Sequence, residues 1–254
     1  FASHIKDTIA VGMGLCDEEL VARVVMGGPA AVEELLALGA EFDRTSEGGL
    51  DCSREGGHKH ARVVHAHGDA TGREIQRVLT NAVTGHDLIT TFTNTFALDI
   101  VTVEGEAYGV VAKASSGNLV LFSSPNIILA TGGGGQLYRE TTNPTIATAD
   151  GVAIAFRAGA TIRDPEFFQF HPTCLYIAGA ARVLISEIVR GHGGVLRDRN
   201  GERFMPQAHP DAELAPRDVV SRAVFRQMIA TKDTNVYLDL SDVDENPHTL
   251  FPGI

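Results

Sequence analysis

The 254-residue sequence has no apolar run of the roughly 18 to 20 residues that a membrane span requires. Its start also lacks a charged segment leading into an apolar one, so neither a membrane helix nor a secretion signal is indicated and a soluble protein is expected. Cysteine is scarce: Cys16, Cys52 and Cys174 are odd in number and have no CxxC spacing. They indicate neither a disulfide framework nor a cysteine zinc site, and they suit a reducing cytoplasm. Basic residues are in the minority, 21 Lys+Arg against 32 Asp+Glu, and the formal charge of -11 opposes binding to nucleic acid or to an anionic membrane. A small anionic ligand would need a local basic pocket. The dinucleotide fingerprint is missing as well, because Gly12-Met13-Gly14 runs into Leu15-Cys16-Asp17 without a third glycine at the required spacing. There is no internal repeat and no low-complexity segment.

With 44% hydrophobic and 21% charged residues the chain can bury a sizeable core, which argues against disorder. From Asp17, Leu20, Val21, Val24 and Val25 recur at helical spacing. Gly27-Gly28 then predicts a break, and Pro29 the start of a second helix that Gly39 ends. A further helix is expected from Thr71, with Ile75, Val78 and Leu79 on one face. Between Asp87 and Phe122, β-branched and aromatic residues with glycines at 105, 109 and 117 read as an antiparallel meander. The apolar run Asn126 to Ala130 predicts a strand buried in a parallel sheet, and a helix is expected after Asp150-Gly151.

After Asp164-Pro165 the texture changes again. A helix is expected from Val183 to Arg190, a type I′ hairpin turn at Asn200-Gly201, a helix from Pro216 to about Ile229, and a strand over 236–240. The fold class expected is α/β, more strictly a mixed α+β arrangement, divided into residues 1–163 and 164–254. Phe1 and the closing Phe251-Pro252-Gly253-Ile254 resemble neither a natural start nor a capped end, so an internal portion of a longer protein is expected.

Several motifs carry chemistry. The segment Ser53-Arg54-Glu55-Gly56-Gly57-His58-Lys59-His60, with His65-Ala66 and Gly68-Asp69-Ala70-Thr71-Gly72 after it, combines glycines, charges and imidazoles as a ligand-facing loop does. His58, His60, His65 and His67 allow a metal site by spacing, but Arg54, Lys59 and Arg62 would repel a cation and favour an anion. The glycines 132 to 135 present unhindered N–H groups that a planar or phosphorylated cofactor can approach, or else a plain turn. Asp150 is an N-cap or a cofactor contact. Arg217, behind a proline at a helix start, is a carboxylate clamp or a surface partner of Asp218 or Glu213. His171-Pro172-Thr173 places an imidazole and a hydroxyl at a strand end, where the histidine is either functional or a satisfied core residue. Ser186, Glu187 and Arg190 share one helical turn, as a solvated face or a substrate wall.

Together these motifs are more specific than any one of them. Arg54-Glu55-Gly56-Gly57-His58-Lys59-His60, His65-Ala66, Asp69-Ala70-Thr71-Gly72, Ala130-Thr131-Gly132-Gly133, Asp150-Gly151, Gln169-Phe170-His171-Pro172-Thr173, Arg203-Phe204-Met205-Pro206 and Leu214-Ala215-Pro216-Arg217-Asp218 occur in the order found in the L-aspartate oxidase family. The later motifs are shared with the flavoprotein subunits of succinate dehydrogenase and fumarate reductase. The Arg-Glu-Gly-Gly-His loop marks the oxidase branch.

The resemblance implies part of an FAD-binding domain and part of a capping domain. It implies oxidation of L-aspartate to iminoaspartate by hydride loss from Cα to FAD, with oxygen or fumarate as acceptor, and a product that feeds quinolinate synthase in NAD biosynthesis. Arg217 would be the catalytic arginine. Glu55, His171, Thr173, Ser186 and Glu187 would bind the substrate, Glu55 at its amine and His171 and Ser186 at a carboxylate. Thr131, Gly132, Gly133 and Asp150 would meet FAD; no metal, nucleic acid or membrane is implied. The fumarate reductase or succinate dehydrogenase flavoprotein is the alternative, and a non-catalytic dicarboxylate- or metal-binding protein the alternative of another class. Three positions depart from the family pattern: Ser186 for threonine, Lys59 for serine, and His192 for the glutamate of Arg-Gly-Glu-Gly.

Overall fold

A computed structural model describes residues 1–177, 182–243 and 246–251. Along the chain run α1 (Ala2–Val11), α2 (Glu18–Ala37), β1 (Cys52–Ser53), β2 (Val63–Val64), α3 (Thr71–Thr84), β3 (Phe96–Val103), β4 (Glu106–Lys113) and β5 (Leu119–Ser123). They are followed by α4 (Asp150–Arg157), β6 (Cys174–Leu175), β7 (Val183–Leu184), α5 (Ile188–Gly191), β8 (Val195–Arg197), α6 (Met205–Ala208), α7 (Arg217–Thr231), β9 (Tyr237–Asp239) and α8 (Pro247–Leu250). Helices and strands are mixed, as expected, and every described sheet is antiparallel. No described helix is long and apolar enough to cross a membrane.

Two compact units emerge, one from residues 1–86 with 170–254 and one from residues 87–169. This division differs from the sequence-based one at 163/164. Its cause is long-range: the loop after β1 packs on α5, and the Gly56 N–H meets a carboxylate oxygen of Glu187 at 2.7 Å. Sequence texture carries no sign of such a contact.

In the discontinuous unit, α2 is one helix rather than two. Asp17 caps it by accepting the Leu20 N–H at 3.0 Å, and the helix continues through Gly27, Gly28 and Pro29. Proline removes one backbone bond, but Val32, Leu35 and Leu36 beyond it pack on the buried cluster Ala40, Phe42, Ala66 and Val78. Burial of that stripe holds the helix across the weak point. A second cluster joins Leu196, Phe204, Met205, Ala215, Val220 and Ala223, so β8, α6 and α7 share one core. The helix expected over Val183 to Arg190 is instead β7, paired with β6, followed by the single turn α5. Val183 and Leu184 have β-favouring or neutral side chains and satisfy their backbone groups across the strand pair, which leaves only Ile188 onward for the helix.

The turn at Asn200-Gly201 also differs from expectation. Only Gly201 has positive φ, +81°, and Asp198 accepts backbone N–H groups from Asn200 and Glu202 through its side chain and from Gly201 through its carbonyl. That pattern is a type I turn closed by a left-handed glycine.

The continuous unit is built on the predicted meander, order β3-β4-β5. Its first hairpin has the type I′ character expected elsewhere, since Glu104 and Gly105 both have positive φ, +53° and +85°. Helix α4 is tied to β3 where Arg157 bonds both carboxylate oxygens of Asp99 at 3.1 Å. The buried parallel strand expected over 126–130 is absent: these residues belong to no helix or strand, and Ile128 is 93% exposed. Apolar composition alone could not supply the neighbouring strands that a parallel sheet needs.

Met205 is fully buried in the β8–α7 core. Met205→Ala is expected to lower unfolding free energy by about 2–5 kcal/mol, read from urea denaturation of the protein carrying this chain. Glu74 supplies a pH signature. The bidentate Arg77 guanidinium, with the Glu41 N–H, brings its pKa from 4.5 down to about 2. A depressed carboxylate stabilises above its unfolded pKa and loses that contribution as pH falls through the folded value. Stability should therefore decline between pH 4.5 and about 2, and Glu74→Gln should flatten that decline in unfolding measurements across the same range.

Candidate functional site

The site residues of the discontinuous unit gather around Glu187, which ends the turn before α5 and is only 3% exposed. One of its oxygens accepts the Gly56 N–H at 2.7 Å; the other accepts the Arg217 Nε at 2.6 Å. Arg190, one turn further along, has its guanidinium 3.7 Å from the first oxygen and is itself fully buried. Burial opposes ionisation of Glu187, but the Arg217 bond, the charge of Arg190 and the Gly56 N–H outweigh it and hold its pKa below the ordinary range. Burial pushes Arg190 the other way, below the usual arginine value.

Each partner reaches Glu187 for a local reason. Gly56 must be glycine, since a Cβ there would fall 2.2 Å from the Glu187 carboxylate and 2.9 Å from the Ala215 carbonyl. Gly57 follows with φ +80°, its N–H on the Leu214 carbonyl at 3.3 Å. Arg217 is the first residue of α7 behind Pro216, as expected, and adds its charge to the positive end of that helix. The surface pairings considered for it are used otherwise: Asp218 binds Arg222, and Glu213 binds Arg203. The Arg203–Met205 and Leu214–Arg217 motifs thus have a structural share. Glu213, 4% exposed, accepts the Leu196 N–H as well as Arg203, and its carbonyl accepts a bond from Arg190. Sequence reasoning took Glu213 only as a possible surface partner of Arg217 and left Arg190 as part of a helical turn, a solvated face or a substrate wall. The signal available at Glu213 was a charged residue with the apolar Ala212 and Leu214 on either side.

Glu55 stands beside this network, half-buried. Burial and then repulsion from Glu187 raise its pKa, while Arg217, Arg190 and His65 oppose the rise. His171 is half-buried on the stretch leading into β6. Its Nδ1 is 2.8 Å from the Thr173 carbonyl and 3.2 Å from the Thr173 N–H, and these contacts define alternative tautomers. Only the tautomer that accepts the Thr173 N–H leaves an Nε2–H to donate to a carboxylate. Burial lowers the His171 pKa, with Arg217 and Arg190 adding to the effect, so the ring favours the neutral form. Thr173, 6% exposed, commits its hydroxyl to the Ile185 carbonyl at 2.9 Å and so holds β6 to β7. Ser186 is half-buried immediately before Glu187. His192 turns its Nδ1 to the Ile188 carbonyl and its ring edge-on to Phe251, which places its imidazole against α5 and the chain's last described residue.

The other histidines separate. His65 binds Asp43 at 2.7 Å, His58 lies beside Arg62 and His4, and His67 is 3.8 Å from Glu74. Among the described residues no group of three or more His, Cys, Asp or Glu side chains is placed to hold a metal ion.

The cofactor candidates lie in the continuous unit. Gly132, at φ +72°, and Gly133 have open space where a Cβ would be, so their backbone is free to be approached. Gly134 and Gly135 are glycines for packing, against Ala149 and Asn143. Thr131 is tied to the start of α4: a Cβ on Gly151 would fall 1.7 Å from its hydroxyl. Asp150 is the first helical residue rather than the cap. The cap position is Ala149 at φ +62°, and the Asp150 carboxylate contacts the Thr148 hydroxyl. An open glycine backbone beside a carboxylate at a helix start fits a large phosphorylated or planar cofactor.

The FAD binding domain family model matches residues 1–247, and the chain belongs to that family. FAD, the cofactor expected from the sequence, is the family's cofactor. The chain is 46% identical to the L-aspartate oxidase of Streptomyces coelicolor over 244 residues, 93% of this chain and 42% of that protein. It is 44% identical to the L-aspartate oxidase of Synechocystis over 259 residues, 99% and 46%, and 45% identical to the chloroplastic L-aspartate oxidase of Arabidopsis thaliana over 94% of this chain. Among solved structures it is similar to E. coli quinol fumarate reductase, with TM-score 0.89 and 32% identity over 98% of this chain and 45% of that one. A flavocytochrome c3 fumarate reductase in an open conformation matches with TM-score 0.67 and 30% identity over 89% and 40%. The chain spans less than half the length of the curated relatives it matches.

Because Glu187 neutralises the buried Arg190, Glu187→Ala leaves a cation buried without its carboxylate. A loss of about 3–5 kcal/mol in unfolding free energy is expected, and denaturant titration of wild type and variant measures it.

Proposed function

We propose that the protein carrying this chain oxidises L-aspartate to iminoaspartate, with oxygen or fumarate accepting the electrons. The observation that carries the proposal is the placement of half-buried Glu55 next to the Glu187–Arg217 pair. A dicarboxylate with an amine needs fixed cations for its carboxylates and a carboxylate for its ammonium, and these groups supply both signs within one loop-and-helix cluster. The identities to L-aspartate oxidases add to this reading. Bound FAD would supply the two-electron acceptor for the Cα hydride.

The residues present would bind and orient. Arg217 would take a substrate carboxylate, and its bond to Glu187 fixes the guanidinium plane before substrate arrives. His171, as the Nε2–H tautomer, would donate to a carboxylate, with Ser186 nearby. Glu55 would accept from the ammonium, whose arrival lowers the raised pKa again. Thr131, Gly132, Gly133 and Asp150 would hold the cofactor. The unstable imino product calls for a consumer, and quinolinate synthase is the functional partner proposed. Three free cysteines support a reducing cytoplasm as the working compartment.

The structural likeness to quinol fumarate reductase favours a second reading, a fumarate reductase or succinate dehydrogenase flavoprotein. Anaerobic flavin absorbance of the full protein decides between them. Bleaching by L-aspartate, with peroxide released when air is admitted, is expected; bleaching by succinate and not by aspartate would establish the second reading. In the oxidase, Glu55→Gln should raise KM for L-aspartate about 10- to 100-fold while leaving KM for fumarate, which has no amine, unchanged. Since the Glu55 pKa lies above its ordinary 4.5 in the free protein, KM for aspartate should climb as pH falls toward that raised value. The variant should lack this limb.

A further inference from the structure

We infer that Asp7, on α1, is a specificity-positioning residue that holds the far end of the Glu55 loop, beyond the end held by Glu187. The inference rests on the oxidase reading above and assigns a role to a helix that none of the sequence motifs touched.

The loop between Arg54 and Arg62 has two anchors. On one side the N–H groups of Gly56 and Gly57 go to Glu187 and to the Leu214 carbonyl. On the other, one oxygen of Asp7 accepts the Lys59 N–H at 3.2 Å and the Arg62 Nη1 at 2.9 Å. Asp7 is 5% exposed, so this is a buried charge whose geometry is set by its partners. Arg62 also reaches the His58 Nδ1 at 3.1 Å and the Ser3 hydroxyl at 3.4 Å, and the Arg54 Nε donates to the His58 carbonyl at 2.9 Å. The other Asp7 oxygen has no hydrogen-bond partner, and the Lys59 ammonium stands 3.9 Å from it.

The two anchors differ in reach. Glu55 precedes the Gly56 and Gly57 anchors directly, but those two backbone bonds, from adjacent glycines, hold the loop at one end only. The Asp7–Arg62 pair fixes the far end of the same loop and thereby the direction in which Glu55 is presented. Loosening it should cost recognition of the amine and leave the carboxylate clamps at Arg217 and His171 in place.

The test is steady-state kinetics of the full enzyme with L-aspartate as reductant and, separately, with fumarate as oxidant of a reduced dye. Asp7→Asn retains an acceptor for the Lys59 N–H but removes the charge opposite Arg62. It is expected to raise KM for L-aspartate about tenfold, with KM for fumarate within about twofold of wild type. Arg62→Gln should act in the same direction, and the double variant should be no worse than the stronger single one, because both break one pair. If Asp7→Asn does not fold, Arg62→Gln alone decides by the same aspartate-to-fumarate contrast. Equal shifts for both substrates, or none, would overturn the inference. A wild type that fails to oxidise L-aspartate would sink the oxidase reading instead. A selective KM effect in Glu55→Gln with none in Asp7→Asn or Arg62→Gln would sink this inference and spare the other.

Discussion

One buried carboxylate sets the geometry of the discontinuous unit. A charge as deeply buried as Glu187 persists only if its lone pairs and its charge are met: the lone pairs are met by Gly56 on a loop and Arg217 at the start of α7, and the charge also by Arg190, 3.7 Å away on the turn that follows Glu187 itself. Moving any one would leave buried charge unmatched. Arg190 passes the constraint onward through the Glu213 carbonyl, and Glu213 passes it to Arg203 and to Leu196, a member of the β8–α7 core. The site and the hydrophobic cluster beneath it are therefore one mechanical object.

That arrangement shows how a protein with an excess of acidic residues can hold an arginine such as Arg217 in a fixed place. Net charge governs long-range encounter, whereas the last few ångströms are governed by which charges are fixed. Arg217 is fixed by Glu187, and His171 is kept neutral by burial and its cationic neighbours, so the ring can offer a donor without adding a second mobile charge.

The sequence shows the local rules well and the long-range ones poorly. The meander, α3, α4 and α7 follow from patterns that fit within one element: β-branched runs between glycines, a Val78-centred apolar face, a proline before a helix. Errors fell where a distant partner decided. The stripe Val32, Leu35 and Leu36 carried α2 through Gly27 to Pro29 because Phe42 and Val78 were there to receive it. The run at 126–130 had strand composition but no strand beside it, and Val183-Leu184 found β6 instead of a helical turn. At the site, the residues that the motifs proposed in the discontinuous unit do come together, yet Asp7, Arg190 and Glu213 owe their importance to burial and pairing, which no spacing encodes. Even Gly56, within the most prominent motif, is explained only by the nearness of the Glu187 carboxylate.

The Gly56–Glu187 bond also imposes an order on synthesis. Its two ends lie 131 residues apart, so at translation rates of about 5–20 residues per second the loop waits roughly 7–26 seconds for its carboxylate to leave the ribosome. During that interval the Ala40–Val78 cluster can already close, since all its buried members precede residue 79. The nascent chain thus carries a finished hydrophobic nucleus beneath an unfinished loop whose glycine N–H groups still have only water for partners.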